Sequence, residues 1–285
     1  MIAYLDTNVF DHLYKKVRCT SADIADLRKA IYGRDLSIAL GIHILEEMLL
    51  NRRASPQELV ARVKLTLSLA SIRRMVKPCD QLIGDDIRSY AANGAPARPF
   101  VDVQIQNAIT QGIAELVESD GEEFSEEIAE ALADTKRRKE RFVQGMNATL
   151  REVLSSVEKV PADIFFDDYF RLTAPRIAEV FAERTGVLEA CRDRGIEGLL
   201  EIRSVRTAIV IALSCRYGQT FEGSPLSLAD SIDYLHAPAA AATAEVFVSD
   251  DSHLRDALAR VGLDNFRVMS MAEFLTASGT SDAAD

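Results

Sequence analysis

Apolar residues follow two rhythms along the chain. Short apolar runs that end abruptly at acidic residues occupy its two ends: Met1 to Leu5 stops at Asp6, and Val246-Phe247-Val248-Ser249 stops at Asp250. Such runs are what strands buried on both faces of a parallel sheet look like. Leu36 to Leu40 and Phe266 to Ser270 predict two more strands, and Ile72 to Val76 adds a fifth. Between them apolar residues recur at spacings of three and four over 20–32, 43–52, 56–70, 100–118, 125–158, 173–192 and 196–217, which predicts helices.

Strands alternating with helices predict an α/β fold, a parallel sheet with helices on both faces. Ligands of such sheets bind beyond the carboxyl ends of the strands, where Asp6 and Asp251 would fall. From about residue 95 to 205 only helical windows appear, punctuated by breakers such as Gly94, Pro96, Pro99, Gly121, Pro161, Pro175 and Gly186. The expectation is an α/β domain over 1–95 and 205–275 carrying a large all-helical insertion over 95–205. A separate helical domain is the alternative. Residues 276–285, rich in Ser, Thr, Ala and Asp, are expected to be a disordered tail.

Composition narrows this picture. With 285 residues and 48% hydrophobic content the chain can bury a full core without disulfides. Cys19, Cys79, Cys191 and Cys215 lie far apart with no CxxC pair, so they read as reduced thiols rather than a zinc ribbon or a disulfide framework. The first residues carry no basic leader, and no apolar run approaches the roughly 20 residues that span a bilayer; a soluble, cytoplasmic protein is expected. Thirty-three Lys and Arg stand against 44 Asp and Glu, a net charge of -11, which argues against non-specific coating of nucleic acid. A nuclease is not excluded, because bound metal neutralises a carboxylate site.

Four short motifs carry candidate chemistry. Asp6-Thr7-Asn8 places a carboxylate and small hydrogen-bonding groups at a strand end, as a metal ligand or as a helix N-cap. Glu46-Glu47 sits in the apolar helical stretch Ile44 to Leu50, where one acid can reach water and the other needs a partner. In the third motif Asp230, Asp233 and His236 recur every three residues and share a helix face. There Asp230 also reads as a first-turn charge, and His236 as a hydrogen-bonded structural residue rather than a ligand. Ser249-Asp250-Asp251 repeats the acid at a strand end, and it too could serve only as a cap.

Taken together, the order and spacing of these motifs resemble the PIN-domain ribonuclease family. Its opening strand and DTN motif match Asp6-Thr7-Asn8, its apolar helix with one glutamate matches Ile44-Leu45-Glu46-Glu47, and its acid-led helix matches Asp233. Its second acidic turn matches Ser249-Asp250-Asp251. The likeness covers residues 1–90 and 200–275 and is absent from the middle; a helix of the form D-x-x-D-x-x-H is similar to that of a subgroup with a long helical insertion. It implies a PIN-like sheet and selects Glu47 over Glu46, Asp233 over Asp230, and Asp251 over Asp250.

The function expected on this basis is hydrolysis of RNA phosphodiesters, with Asp6, Glu47, Asp233 and Asp251 as catalytic carboxylates. Four or five carboxylates without His or Cys favour Mg²⁺ or Mn²⁺ over Zn²⁺. Asp230 is a reserve ligand, while Thr7, Asn8, Ser249 and Asp250 are expected to orient the others. Arg52, Arg53, Arg203 and Arg206 are candidate phosphate contacts, whereas the basic run Lys136 to Arg141 reads as a solvated helix face. RNA is the expected substrate, and a protein inhibitor would be a partner if the chain were a toxin. Two rivals stand beside this reading. A phosphatase with an aspartate nucleophile would want a second acid where Asn8 stands. The other is a catalytically silent PIN-like module that binds RNA or protein.

Overall fold

In the computed structural model of the chain, residues 1–50, 55–119, 161–221 and 228–279 are described, with isolated positions between 130 and 144. Five parallel strands form one sheet: β1 (Ile2–Leu5), β2 (Ser37–Gly41), β3 (Ala70–Val76), β4 (Val246–Val248) and β5 (Arg267–Met269), in the order β3-β2-β1-β4-β5. All five strands expected from the apolar runs are present. β1 lies at the centre, pairing Ala3 with Ile38 on one side and with Val246 on the other, and its Ala3, Tyr4 and Leu5 are fully buried. Burial on both faces is why this segment reads as an unbroken apolar run.

Helices fill the connections. They are α1 (Thr7–Lys15), α2 (Ser21–Tyr32), α3 (Ile42–Leu50), α4 (Pro56–Leu69), α5 (Cys79–Asn93) and α6 (Val103–Glu118), followed by α7 (Ala162–Arg184) and α8 (Leu188–Arg194). A 3₁₀ helix (Ile196–Glu201) then leads into α9 (Arg203–Phe221), and α10 (Leu228–Thr243), α11 (Ser252–Ala259) and α12 (Met271–Gly279) complete the chain. The expected helix over 125–158 lies outside the described residues apart from isolated positions; among these, Lys136 and Glu140 are half-exposed and 3.7 Å apart, one turn along, as on a solvated face. The window 173–192 is two helices, α7 and α8, separated at Gly186, whose φ of 74° is readily adopted by glycine.

The expected disordered tail is corrected in part. Residues 276–279 continue α12, which is anchored by Met271 and Phe274, both 1% exposed. Its start is closed reciprocally: the Ser270 amide and hydroxyl donate to Glu273 Oε2 at 2.7 and 2.8 Å, and the Glu273 amide donates to Ser270 Oγ at 3.3 Å. Residues 280–285 lie outside the described residues.

Two apolar clusters organise the interior. The first surrounds the sheet and includes Tyr4, Phe10, Leu40, Ile44, Phe247 and Phe274. The second is helical, built from Ile87 and Tyr90 of α5, Phe165 and Ala178 of α7, Cys191 of α8, and Ile209 and Tyr217 of α9. Helix α9 is the wall between them: Val205, Ile209, Leu213 and Tyr217, each four residues apart, face the second cluster, while Val210, Ile211 and Cys215 face the first. The four cysteines are free thiols; burial pushes that of Cys79 up to about 12. Among the described residues no helix is long and apolar enough to cross a membrane.

Candidate functional site

The carboxyl ends of β1 and β4 are adjacent, because the Asp6 amide donates to Val248 O at 2.9 Å. Two acidic turns therefore meet. Asp6, 1% exposed, accepts three hydrogen bonds: Thr7 N to Oδ1 at 2.7 Å, and Asn8 Nδ2 and Ser249 Oγ to Oδ2, each at 2.7 Å. All three donors are neutral. Burial raises the Asp6 carboxyl above its ordinary pKa; His236, Ser249 and the Thr7 amide hold it down in part, and the nearby Glu47 raises it.

Asn8 and Ser249 tie the turns together. Asn8 Oδ1 accepts from Asp250 N at 3.3 Å, and Ser249 Oγ accepts from Asp251 N at 3.1 Å. Asp251 then caps α11, its Oδ1 accepting from Leu254 N at 3.0 Å. A path of hydrogen bonds thus runs from Asp6 through Ser249 to Asp251. Asp250 faces another way, bonding His12 Nδ1 at 2.8 Å and capping α12 through Met271 N at 3.0 Å.

Beside Asp6 lies a group that the sequence did not assign to the site. His236 is fully buried on α10, with Nδ1 3.0 Å from the Tyr4 hydroxyl and Nε2 3.4 Å from Glu47 Oε2 and 3.5 Å from Thr7 Oγ1. Burial, with Asp6, Cys79 and Glu47 adding to it, pushes the Tyr4 phenol well above its ordinary pKa. Tyr4 therefore keeps its proton and can donate it to Nδ1, which puts the ring proton of a neutral His236 on Nε2, toward Glu47. Gly41 at the end of β2 makes room for this, since a Cβ there would collide with the Tyr4 hydroxyl. The neighbouring Glu46 is occupied elsewhere: His43 Nδ1 lies 2.8 Å from its Oε2, and His43 Nε2 accepts from the Cys79 amide at 3.0 Å.

The expected residues thus divide. Asp6, Thr7, Asn8 and Ser249 are bonded into one network that reaches Asp251 through its amide, and Glu47 bears on Asp6 electrically. Asp230 and Asp233 belong to α10, but their side chains lie outside what is described, as do Arg52 and Arg53. Arg203 and Arg206 lie toward the amino ends of the strands, opposite the carboxylates, a correction to their expected role beside them. Arg203 Nη2 is 3.5 Å from the carbonyl of Ala244, which precedes β4, and Arg206 Nε donates at 2.8 Å to Val261 O, beyond the far end of α11. Among the described residues no three His, Cys, Asp or Glu side chains draw together as a preformed metal cage.

His236 could have been drawn in by its three-residue spacing from Asp233. No local signal marks Tyr4 or His12, whose partners lie 232 and 238 positions away. Comparisons with protein families, curated proteins and solved structures find no match to the chain.

Proposed function

We propose that this chain is a metal-dependent ribonuclease with a PIN-like sheet, its site formed by Asp6, Glu47, Asp233 and Asp251 beyond the carboxyl ends of β1 and β4. The observation that carries the reading is the state of Asp6. A carboxylate this deeply buried is costly unless a cation or strong donors compensate it, yet its hydrogen-bond donors are all neutral, and the one positive influence on it, His236, is shared with a second carboxylate, Glu47, 3.4 Å from the ring. Two neighbouring carboxylates are the oxygen ligands that suit Mg²⁺ or Mn²⁺.

The residues fit such an ion. Oδ2 of Asp6 is filled by two donors, whereas Oδ1 accepts one and keeps a lone pair. Asp251 likewise commits Oδ1 to its cap, and among the described residues its Oδ2 has no partner. Asn8 and Ser249 fix the Asp6 plane, and Tyr4 through His236 fixes Glu47. Asp233 stands one helical turn before His236 on α10. A divalent ion held by these groups would supply Lewis-acid polarisation of a phosphodiester and a bound water of lowered pKa.

A silent module is the second reading, favoured by the structural use of the acidic turn, where Asp251 caps α11 and Asp250 caps α12. Purified protein is expected to cleave single-stranded RNA with Mg²⁺ or Mn²⁺ and to stop on addition of EDTA. Cleavage that persists in EDTA overturns the metal reading. Calorimetric titration with Mn²⁺ that releases no heat, together with no cleavage, favours the silent module.

A further inference from the structure

Away from Asp6, on the side of the sheet where its strands begin, a cavity of about 510 Å³ opens between α7, the 3₁₀ helix, α9 and the end of α11. That volume is within the range of small-molecule sites, roughly 300–1,000 Å³. Its floor is apolar, with Phe166, Phe170, Leu200 and Val210 among the lining residues. Its charged lining carries both signs. Arg171, Arg206 and Arg260 share the cavity with Glu197 and Glu201, and among the described residues none of these arginines forms an ion pair with either glutamate.

Two of the guanidinium groups are held in place by rings rather than by acids. Arg260 lies over Phe166 with its carbon 4.9 Å from the ring centroid, and Arg206 over Phe170 at 5.0 Å. Such contacts orient a planar guanidinium without using its N–H groups. Arg206 spends one donor on Val261 O, leaving four. The cavity therefore offers flat π surfaces, guanidinium donors suited to phosphate, and carboxylate acceptors suited to amino groups.

We propose that this cavity is a nucleotide site, with the base stacked on the Phe–Arg surfaces, the phosphate on the arginines, and an exocyclic or ring N–H of the base donated to Glu197 or Glu201. A guanine fits the acceptors best, because it presents two adjacent donors to one carboxylate. The site is built from residues separate from the carboxylate network and does not rest on the ribonuclease reading.

The test is calorimetric titration of the full chain, in EDTA, with GMP, AMP and inorganic phosphate. GMP is expected to bind one site with an affinity at least tenfold above that of phosphate, and Arg171→Ala and Glu201→Gln are each expected to weaken it severalfold, the loss of one charge-assisted bond. Both are surface changes, and a thermal melt checks that they fold. Asp6→Asn is expected to bind GMP as the unaltered chain does, which separates this cavity from the carboxylate site. No heat with either nucleotide at millimolar concentration overturns the proposal, as does phosphate binding as tightly as GMP, or binding that Asp6→Asn removes and the cavity variants leave intact.

Discussion

The two apolar clusters each have a deeply buried aspartate beside them, and the contrast between these residues separates a structural carboxylate from a functional one. Asp86, 2% exposed, receives a short hydrogen bond from the Ser204 hydroxyl and another from Ala97 N at 2.8 Å, so it ties α5 to α9 and to the loop before β3's neighbour Phe100. Burial raises its pKa; the Ser204 and Ala97 hydrogen bonds and then Lys77 lower it, and Asp85 raises it. Asp6 is as little exposed and is also raised by burial, with His236 lowering it and the acid Glu47 adding to the rise. Each thus has one cationic and one acidic neighbour, but the pairs differ in kind: Lys77 is a permanent cation closed onto Asp85 at 2.8 Å, whereas His236 is positive only when protonated and lies 3.4 Å from Glu47. Equal burial therefore says little about role, whereas the kind of cation beside the carboxyl, permanent or titratable, says more.

The sharpest way to break the comparison is to neutralise each residue. Asp6→Asn is expected to lower RNA cleavage by a hundredfold or more, the scale of losing a metal ligand, while Asp86→Asn leaves the rate unchanged. A single-turnover assay with Mn²⁺ checks both. Equal losses in the two variants would mean that Asp6, like Asp86, is only a strut.

Stability reverses the ranking. Asp86→Ala leaves the Ala97 amide and Ser204 hydroxyl without their acceptor, at a cost of about 1–3 kcal/mol, whereas Asp86→Asn can accept from Ala97 and donate to Ser204. Both carboxyls are raised in the folded chain, so the native state binds protons more tightly than the unfolded one. Their contribution to stability is therefore greatest at low pH and declines as pH rises from the ordinary carboxylate range through the folded pKa values. Urea denaturation in EDTA across that window is expected to show a smaller decline in Asp86→Asn than in the unaltered chain. Added Mn²⁺ should offset the part belonging to Asp6 and leave the part belonging to Asp86. A slope in Asp86→Asn that Mn²⁺ does not reduce would count against a cation site at Asp6.

The same contrast marks how far the sequence could be read. The sheet was legible because its three inner strands β1, β2 and β4 are short runs buried on both faces, with the partly exposed edge strands β3 and β5 still carrying apolar runs, and the acidic turns were legible because Asp6-Thr7-Asn8 and Ser249-Asp250-Asp251 are contiguous. Helices α1 and α11, of nine and eight residues, are too short to display a period, and α5 is diluted by Asp80, Asp85 and Asp86. Helix α12 was hidden by a Ser- and Thr-rich composition, although two buried side chains and a capping box suffice to fold it. The Tyr4–His236 contact joins residues 232 positions apart, and the arginines of the cavity come from three separate helices or their ends. What depended on packing across the chain left no local trace.

The smallest effect concerns Asp251, which has two functions within one side chain. Its Oδ1 accepts from Leu254 N at 3.0 Å and so caps α11, a role that asparagine fills about as well as aspartate and alanine does not. Its charge, by contrast, matters only if the second oxygen faces a cation. Asp251→Ala is therefore expected to lose about 1 kcal/mol of stability and Asp251→Asn almost none, as read by urea denaturation. In the cleavage assay both are expected to fall by about tenfold, the lower end of the range for a supporting partner of a metal site, because Asp6 and Glu47 remain. If Asp251→Asn cleaves at the unaltered rate while Asp251→Ala loses both stability and rate, Asp251 is a cap and nothing more, and the site contracts to the residues around Asp6.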